Sequence, residues 1–78
     1  MRDYRKIVGF NVKTLRENRG LSQEELGFLA GIDRTYVSGV ERGLRNPTVL
    51  VLVRFAVALN VTPSLLLTDN IENSDSHN

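Results

Sequence analysis

Apolar residues recur along most of this chain at three- and four-residue intervals, which is the spacing of amphipathic helices. The first segment, residues 3–18, has Asp3 as its predicted cap and Gly20 as its predicted stop. Its inward positions are predicted to be Val8, Val12 and Leu15, broadened by Ile7 and Phe10. The pattern therefore predicts that the chain begins with one long amphipathic helix.

Two shorter helices, about 23–30 and 34–42, are predicted next, joined by a tight turn. Ser22 and Glu25 have the spacing of a capping box at the start of the first. The predicted caps and stops of the two helices are Ser22, Gly31, Asp33 and Gly43. Their predicted inward residues are Leu26, Leu29 and Ala30, then Val37 and Val40. So short a connection favours a helix-turn-helix corner, whose second helix could read base edges in a DNA major groove.

Each of these two helices contains a glycine that weakens it. Gly27 costs helix two about 1 kcal/mol of propensity relative to alanine, and Gly39 weakens helix three in the same way. A side chain at Gly27 would clash if helix three came close. We therefore interpret Gly27 as a sign of close approach between the two helices.

Two further helices are predicted after a turn-rich segment, residues 43–47. Helix four follows the cap Thr48 and ends at Asn60, and helix five follows the cap Thr62 and ends near Leu67. No strand is indicated, so the fold class is predicted to be all-α, a compact five-helix bundle with a central helix-turn-helix. Residues 68–78 contain one apolar residue and are expected to form a disordered tail.

Helix four carries two apolar stripes where a surface helix needs only one. The stripe predicted to face the core consists of Val49, Leu52, Ala56 and Leu59. The second stripe consists of Leu50, Val53 and Val57, extended by Leu65 because Leu66 and Leu67 already supply an inward face in helix five. An exposed apolar patch favours a homodimer interface. The alternative is a wide core face that covers both stripes.

The composition excludes several kinds of site. The 78 residues contain no cysteine, and His77 in the tail is the single histidine, so a histidine triad and a Cys or His metal cluster are excluded. We expect no enzyme activity, no cofactor or metal and no small-molecule ligand. No apolar stretch is long enough to span a bilayer, and a cytoplasmic location without membrane contact is expected.

The net charge of +1 is unevenly distributed. Residues 1–47 hold nine Lys or Arg against six Asp or Glu, whereas residues 48–78 hold one against three. The basic excess lies in the half with the helix-turn-helix. It fits attraction to phosphate, but on charge alone an ordinary mixed surface is the favoured interpretation.

Residues 8–67 resemble the phage-repressor-like helix-turn-helix family, which contains the lambda and 434 repressors. The matching stretches are VKTLRENRGLSQEELGFLAGI, VSGVERGLRNPT and LNVTPSLLL. Within that family, DRTYVSGVERGLRNP is similar to controller proteins of restriction–modification systems. The resemblance implies a sequence-specific transcriptional regulator, with residues 1–67 as a DNA-binding and dimerisation domain. It would act as a homodimer on a two-fold operator in double-stranded DNA.

The same resemblance assigns roles to three further residues, Arg16, Gln23 and Glu41. It pairs Arg16, late in helix one, with Glu41, late in helix three. The pair is also physically sensible, because an unpaired carboxylate next to the inward Val40 would be costly. The resemblance further makes Gln23 a phosphate contact through its exposed amide. A solvated glutamine in the first turn is the alternative for Gln23.

The remaining DNA-binding candidates lie in helix three and the loop that follows it. They are Arg34, Thr35, Tyr36, Ser38, Arg45 and Asn46. Arg34 can pair with guanine or grip phosphate, and in the alternative it is a surface arginine paired with an acid. Tyr36 can pack on the sugar–phosphate backbone or belong to the core, and Ser38 can contact DNA or water. The family grips the DNA backbone with the loop that holds Arg45 and Asn46.

Two other functions fit the sequence. An antitoxin-type autoregulator would repress its own operon and use another surface, such as the acidic tail, to bind a toxin protein. A helical protein-binding adaptor would have no DNA affinity. Copurification of a partner would identify the first, and the absence of salt-sensitive DNA binding would identify the second.

Overall fold

The computed structural model describes residues 2–69, which form five helices and, within that range, no strand. The helices are α1 Tyr4–Asn18, α2 Gln23–Ala30, α3 Arg34–Glu41, α4 Val49–Leu59 and α5 Pro63–Leu66. The predicted all-α class is confirmed, and the predicted helix ends differ from these bounds by at most one residue. Most of the predicted tail, residues 70–78, lies outside the described residues.

Side chains just before four of the helices hold their first turns. Each of these caps accepts a hydrogen bond from a backbone N–H, and they are Asp3, Ser22, Asp33 and Thr48. Ser22 and Glu25 complete the predicted capping box of α2, because the Glu25 carboxylate accepts in turn from the Ser22 N–H at 2.8 Å. The prediction that Thr62 caps α5 is wrong. Its side chain makes no capping hydrogen bond, and its hydroxyl lies 3.1 Å from that of Ser64 instead. That short helix begins instead with Pro63 at its first position.

All five helices contribute to one apolar core. Helix α1 packs on α3, α4 and α5, while α2 packs on α3 and α4. The buried side chains of the core are Val8, Val12, Leu26, Ala30, Val37, Val40, Leu52, Phe55, Ala56, Leu59 and Leu66. Phe55 is the largest of those that are fully buried, and the predicted core stripe of α4 did not include it.

The residues predicted to face the core but found exposed are Phe10, Leu29, Val49 and Leu67. In α4 the first turn lies at the edge of the bundle, where Val49 is 73% exposed, and the inward face is formed by Leu52, Phe55, Ala56 and Leu59. Helix α5 has only four residues and turns only Leu66 fully inward. Leu29 lies on the outer face of α2, where the neighbouring Phe28 is also exposed.

Asn11 explains why α1 departs from its apolar pattern. The side chain is fully buried, and its Nδ2 donates to the carbonyl oxygens of Leu66 at 2.8 Å and Thr68 at 2.9 Å. Carbonyl groups at the end of a helix have no donors within the helix, so a buried amide satisfies them. A polar residue therefore holds α5 against α1, and Phe10, beside it in the sequence, is left at the surface.

Two glycines allow backbones to come into contact. A Cβ on Gly27 would lie 2.5 Å from the carbonyl oxygen of Ile32, so the predicted close approach is confirmed, and it involves the turn that leads into α3. A Cβ on Gly9 would lie 2.3 Å from the carbonyl oxygen of Val40. Both clashes are with backbone, which cannot move aside. These contacts fix α3 against α1 and α2.

Candidate nucleic-acid interface

The connection between α2 and α3 is a tight corner of three residues. Gly31 adopts the left-handed conformation, with φ of 68°, and ends α2. The Ile32 N–H then donates to the Gly27 carbonyl at 2.8 Å, and the Ile32 side chain packs against the core. The Asp33 carboxylate accepts from the Thr35 N–H at 2.8 Å and starts α3. The predicted helix-turn-helix therefore forms from local hydrogen bonds and one apolar anchor.

Helix α3 has one buried face and one polar face. Val37 and Val40 are buried in the core, whereas Arg34 and Thr35 are exposed and Ser38 is half-buried. A helix held by its inner face and presenting short polar side chains and a cation outward has the geometry of a recognition helix.

Four of the predicted DNA-binding residues line one shallow recess of about 200 Å³. It is formed by Gln23 of α2 together with Arg34, Thr35 and Ser38 of α3. The recess thus brings together a guanidinium, two hydroxyls and an amide. These are the groups that proteins use for phosphate oxygens and for base edges.

Behind the recess, Arg16 and Glu41 form a bidentate ion pair. The Arg16 Nε donates to Glu41 Oε2 at 2.6 Å and its Nη2 to Oε1 at 3.0 Å, while Nη1 donates to the Leu21 carbonyl at 2.7 Å. The two side chains are only 11% and 3% exposed. The hydrogen bonds to Glu41 raise the pKa of Arg16 above its ordinary value. The pair fastens the C-terminal end of α3 to α1.

Gln23 is linked to this pair rather than standing free. Its Nε2 donates to Glu41 Oε1 at 3.0 Å, and the side chain is half-buried. The sequence predicted an exposed amide, but one of its two N–H groups is already engaged. The link holds the Gln23 side chain in one orientation at the start of α2, beside Arg34 and Ser38.

Tyr36, Arg45 and Asn46 lie outside the recess. Tyr36 is half-buried and packs on the core, as its alternative assignment proposed, and the Arg45 guanidinium carbon lies 5.4 Å from the centre of its ring. Asn46 is exposed in a different hollow, next to Tyr4 and Pro47. The structure therefore divides the predicted DNA-binding residues into a recess group, an Arg45–Tyr36 pair and the separate Asn46.

Gly39 was not among the predicted site residues, yet the Arg45 side chain lies across it. The sequence did contain one indication that Gly39 has a special role, namely the low helix propensity of glycine. A glycine inside a short helix requires a packing or functional reason.

The second apolar stripe, on α4 and α5, is largely exposed. Leu50 and Val57 are 74% and 75% exposed, Val53 is partly exposed and Leu65 is half-buried. The alternative of a wide core face fails for Leu50 and Val57, because no described part of the chain covers them.

Some kinds of site are absent from the described residues. No group of three or more His, Cys, Asp or Glu side chains within residues 2–69 could hold a metal ion. Over the same range, each helix is too short or too polar to span a bilayer.

The fold and the polar face of α3 define a helix-turn-helix domain of the DNA-binding kind. The family model described as "Helix-turn-helix" matches residues 12–66, and the chain belongs to this family. Its members are transcriptional regulators that bind DNA without catalysing a reaction. The predictions of a DNA-binding transcriptional regulator and of a non-enzyme are thereby confirmed.

Related proteins cover nearly the whole chain. An uncharacterised helix-turn-helix transcriptional regulator, y4dJ of Sinorhizobium fredii, is 46% identical over 70 residues, which are 90% of this chain and 91% of that protein. The solved structure of the restriction–modification controller protein C.AhdI from Aeromonas hydrophila is 45% identical. It superposes with a TM-score of 0.77 over 80% of this chain and 94% of that one.

A second similar structure contains DNA. The restriction–modification controller protein C.Esp1396I, solved as a tetramer on its natural 35-base-pair operator, is 35% identical with a TM-score of 0.75. The match covers 81% of this chain and 83% of that one. The resemblance to controller proteins, first seen in a short stretch of sequence, therefore extends through the fold.

Proposed function

We propose that this regulator binds a two-fold operator as a homodimer, with α3 of each subunit in the major groove and α2 braced on the DNA backbone. The observation that carries the proposal is the recess between α2 and α3, where Gln23, Arg34, Thr35 and Ser38 converge. The opposite face of α3 is fixed in the core, so these side chains reach DNA from a rigid support.

The groups of the recess suit different parts of DNA. Arg34 has the planar fork that pairs with guanine O6 and N7, and it stands at the start of α3, where recognition helices contact bases. Thr35 and Ser38 offer hydroxyls to bases or phosphates. Gln23, oriented by Glu41, presents its second amide N–H and the start of α2 to a phosphate. Asn46 in the loop after α3 contacts the backbone farther along.

Dimerisation would use the apolar stripe of α4 and α5, defined by Leu50, Val53, Val57 and Leu65. A soluble monomer rarely leaves such a patch open to water. A two-fold contact buries the same patch on both chains, and it sets two α3 helices about one turn of DNA apart, roughly 34 Å. The tetrameric C.Esp1396I complex with its operator supports assembly on DNA.

The regulated genes are those of a restriction–modification system, and the regulator acts in the cytoplasm. Support comes from the similarity to two restriction–modification controller proteins, C.AhdI at 45% and C.Esp1396I at 35% identity. Whether binding represses or activates follows from where the operator lies relative to the promoter. The antitoxin alternative relied on the acidic tail, nearly all of which lies outside the described residues.

Selection of bound sequences from a random DNA pool tests the proposal. A two-fold motif is expected, and affinity for it should fall steeply between 50 and 200 mM salt, about a thousandfold or more if six or more phosphates are contacted. Sedimentation should find a dimer on DNA that contains the motif. A motif without two-fold symmetry would contradict the homodimer, and no salt-sensitive binding to any DNA would favour the adaptor. A copurifying toxin from the native host would favour the antitoxin.

A further inference from the structure

Gly39 differs from the other helical glycines in what a side chain would meet. At Gly9 and Gly27 a Cβ would clash with a backbone carbonyl oxygen, at 2.3 and 2.5 Å. At Gly39 it would meet the Arg45 side chain, 2.9 Å from Cγ, 3.0 Å from Nε and 3.4 Å from Cδ. Gly39 is therefore not needed for helix packing. Its absent side chain leaves the space in which Arg45 lies.

The Arg45 side chain runs back along α3 from beyond the end of that helix. Its backbone belongs to the segment after Glu41, where α3 ends, yet its guanidinium lies over the ring of Tyr36, the third residue of the helix. A guanidinium over an aromatic face gains a cation–π attraction. The ring is itself held by core packing, so this contact places the guanidinium beside the N-terminal half of α3.

This position borders the polar face of the helix. Gly39 follows Thr35 by four residues, so the two are neighbours on the helix surface. At 3.6 residues per turn, Arg34, Ser38, Thr35 and Gly39 follow one another around α3. Arg34 thus bounds one edge of the polar face, and the Arg45 side chain, lying on Gly39, bounds the other.

We propose that Gly39 positions Arg45 as a second guanidinium of the recognition face, so that Arg45 contacts a base edge in the major groove. The proposal rests on the proposed function, because it requires α3 to enter the groove. The N-terminal residues of a recognition helix are the ones that contact base edges, and the Arg45 guanidinium lies beside them. Gly39 touches no DNA and acts only through the place it leaves open for Arg45.

The test compares Gly39→Ala, Arg45→Ala, the double variant and Arg45→Lys with the parent. Each is titrated on the operator selected by the parent and on copies with single base-pair changes, at two salt concentrations. Arg45→Ala should lose about 5- to 150-fold discrimination at one position of each half-site. Gly39→Ala should lose the same discrimination, because its Cβ displaces Arg45 from Tyr36. The double variant should bind no more weakly than Arg45→Ala.

Two controls separate positioning from folding and from charge. Alanine is a better helix former than glycine, and the three atoms nearest to its Cβ all belong to the movable Arg45 side chain, so Gly39→Ala should melt no lower than the parent. Arg45→Lys keeps the charge but lacks the planar fork, so it should keep the salt dependence and lose the base preference.

Several outcomes would overturn the inference. A Gly39→Ala protein with the parental base preference would show that Gly39 positions nothing. If Arg45→Ala weakens binding to all DNA sequences by the same factor and lowers the salt slope by about one, Arg45 contacts only phosphate. A parent that shows no salt-sensitive DNA binding would overturn the proposed function itself, whatever the variants do.

Discussion

The two ends of the bundle are stabilised by different means. The helix-turn-helix end is fastened to α1 by the Arg16–Glu41 ion pair and by backbone contact at Gly9. Within that end, the Gln23–Glu41 hydrogen bond links α2 to α3, and backbone contact at Gly27 links α2 to the turn before α3. The end formed by α4 and α5 is held mainly by apolar packing, with the buried amide of Asn11 as its polar anchor, and it leaves an apolar stripe exposed to water. A surface that must meet DNA in one geometry is fixed within the chain, whereas the other end would gain its missing contacts from a second chain in the dimer that we propose.

The largest expected effect comes from breaking the apolar end. Val53→Glu places a charge in the centre of the stripe, so the protein should fold as a monomer. Losing the second half-site contact should weaken operator binding roughly 100- to 10,000-fold. Sedimentation and gel shift measure the two effects, and Asn18→Glu, at an exposed polar position of α1, is the control for added negative charge. A Val53→Glu protein that is still dimeric at micromolar concentration would refute this interface.

Breaking the polar end should cost stability rather than assembly. Glu41→Ala leaves the Arg16 guanidinium nearly buried without its partner, and the free energy of unfolding should fall by about 3 kcal/mol. Denaturant unfolding measures the change. Glu17→Ala is the matched control, because its exposed carboxylate is 3.8 Å from Arg16 and should change stability by less than about 1 kcal/mol. An unchanged midpoint for Glu41→Ala would mean that the pair contributes nothing.

Arg34→Ala tests DNA binding by the recognition face without disturbing either end of the bundle. The side chain is exposed, so stability should hardly change, while operator binding should weaken by about 1–3 kcal/mol with relaxed preference at one position. If Arg34 touches only phosphate, binding should weaken on all sequences and the salt slope should fall by about one. Equal affinity of variant and parent for the operator would remove Arg34 from the site.

The smallest expected effect tests the polar anchor of the apolar end. Asn11→Ala removes the donor to the carbonyl groups of Leu66, the last residue of α5, and of Thr68 just beyond it, and stability should fall by about 1–2 kcal/mol. Part of the loss is offset, because the buried Asn11 Oδ1 has no hydrogen-bond partner within residues 2–69. Since α5 carries Leu65, the dimer should weaken as well, which sedimentation would detect. A fully stable Asn11→Ala protein would show that packing alone holds α5.

The local elements and their ends were predictable because their signals lie within a few residues. The capping box at Ser22 and the left-handed stops at Gly31 and Asn60 act on the helix beside them, and they appear as predicted. The residues of the recess could also be proposed from the sequence, since three of them share one face of α3. Their convergence with Gln23 depended on how α2 meets α3.

Burial was the less predictable property. An apolar pattern counts every polar residue as surface, so it could not foresee Asn11, whose partners are carbonyl groups at and just beyond the end of α5, more than 50 residues away. It likewise placed Val49 inside and omitted Phe55, because the pattern does not show where the first turn of α4 leaves the bundle.

By itself, the sequence determined five helices, their caps and the corner between α2 and α3, because backbone hydrogen bonding and helix periodicity are local. Only the tertiary structure decided that Gln23 donates to Glu41 and that Arg45 lies across Gly39 onto Tyr36. These contacts join residues from separate elements. The direction of a long, flexible side chain depends on the space and the partners that its neighbours leave once the helices have packed.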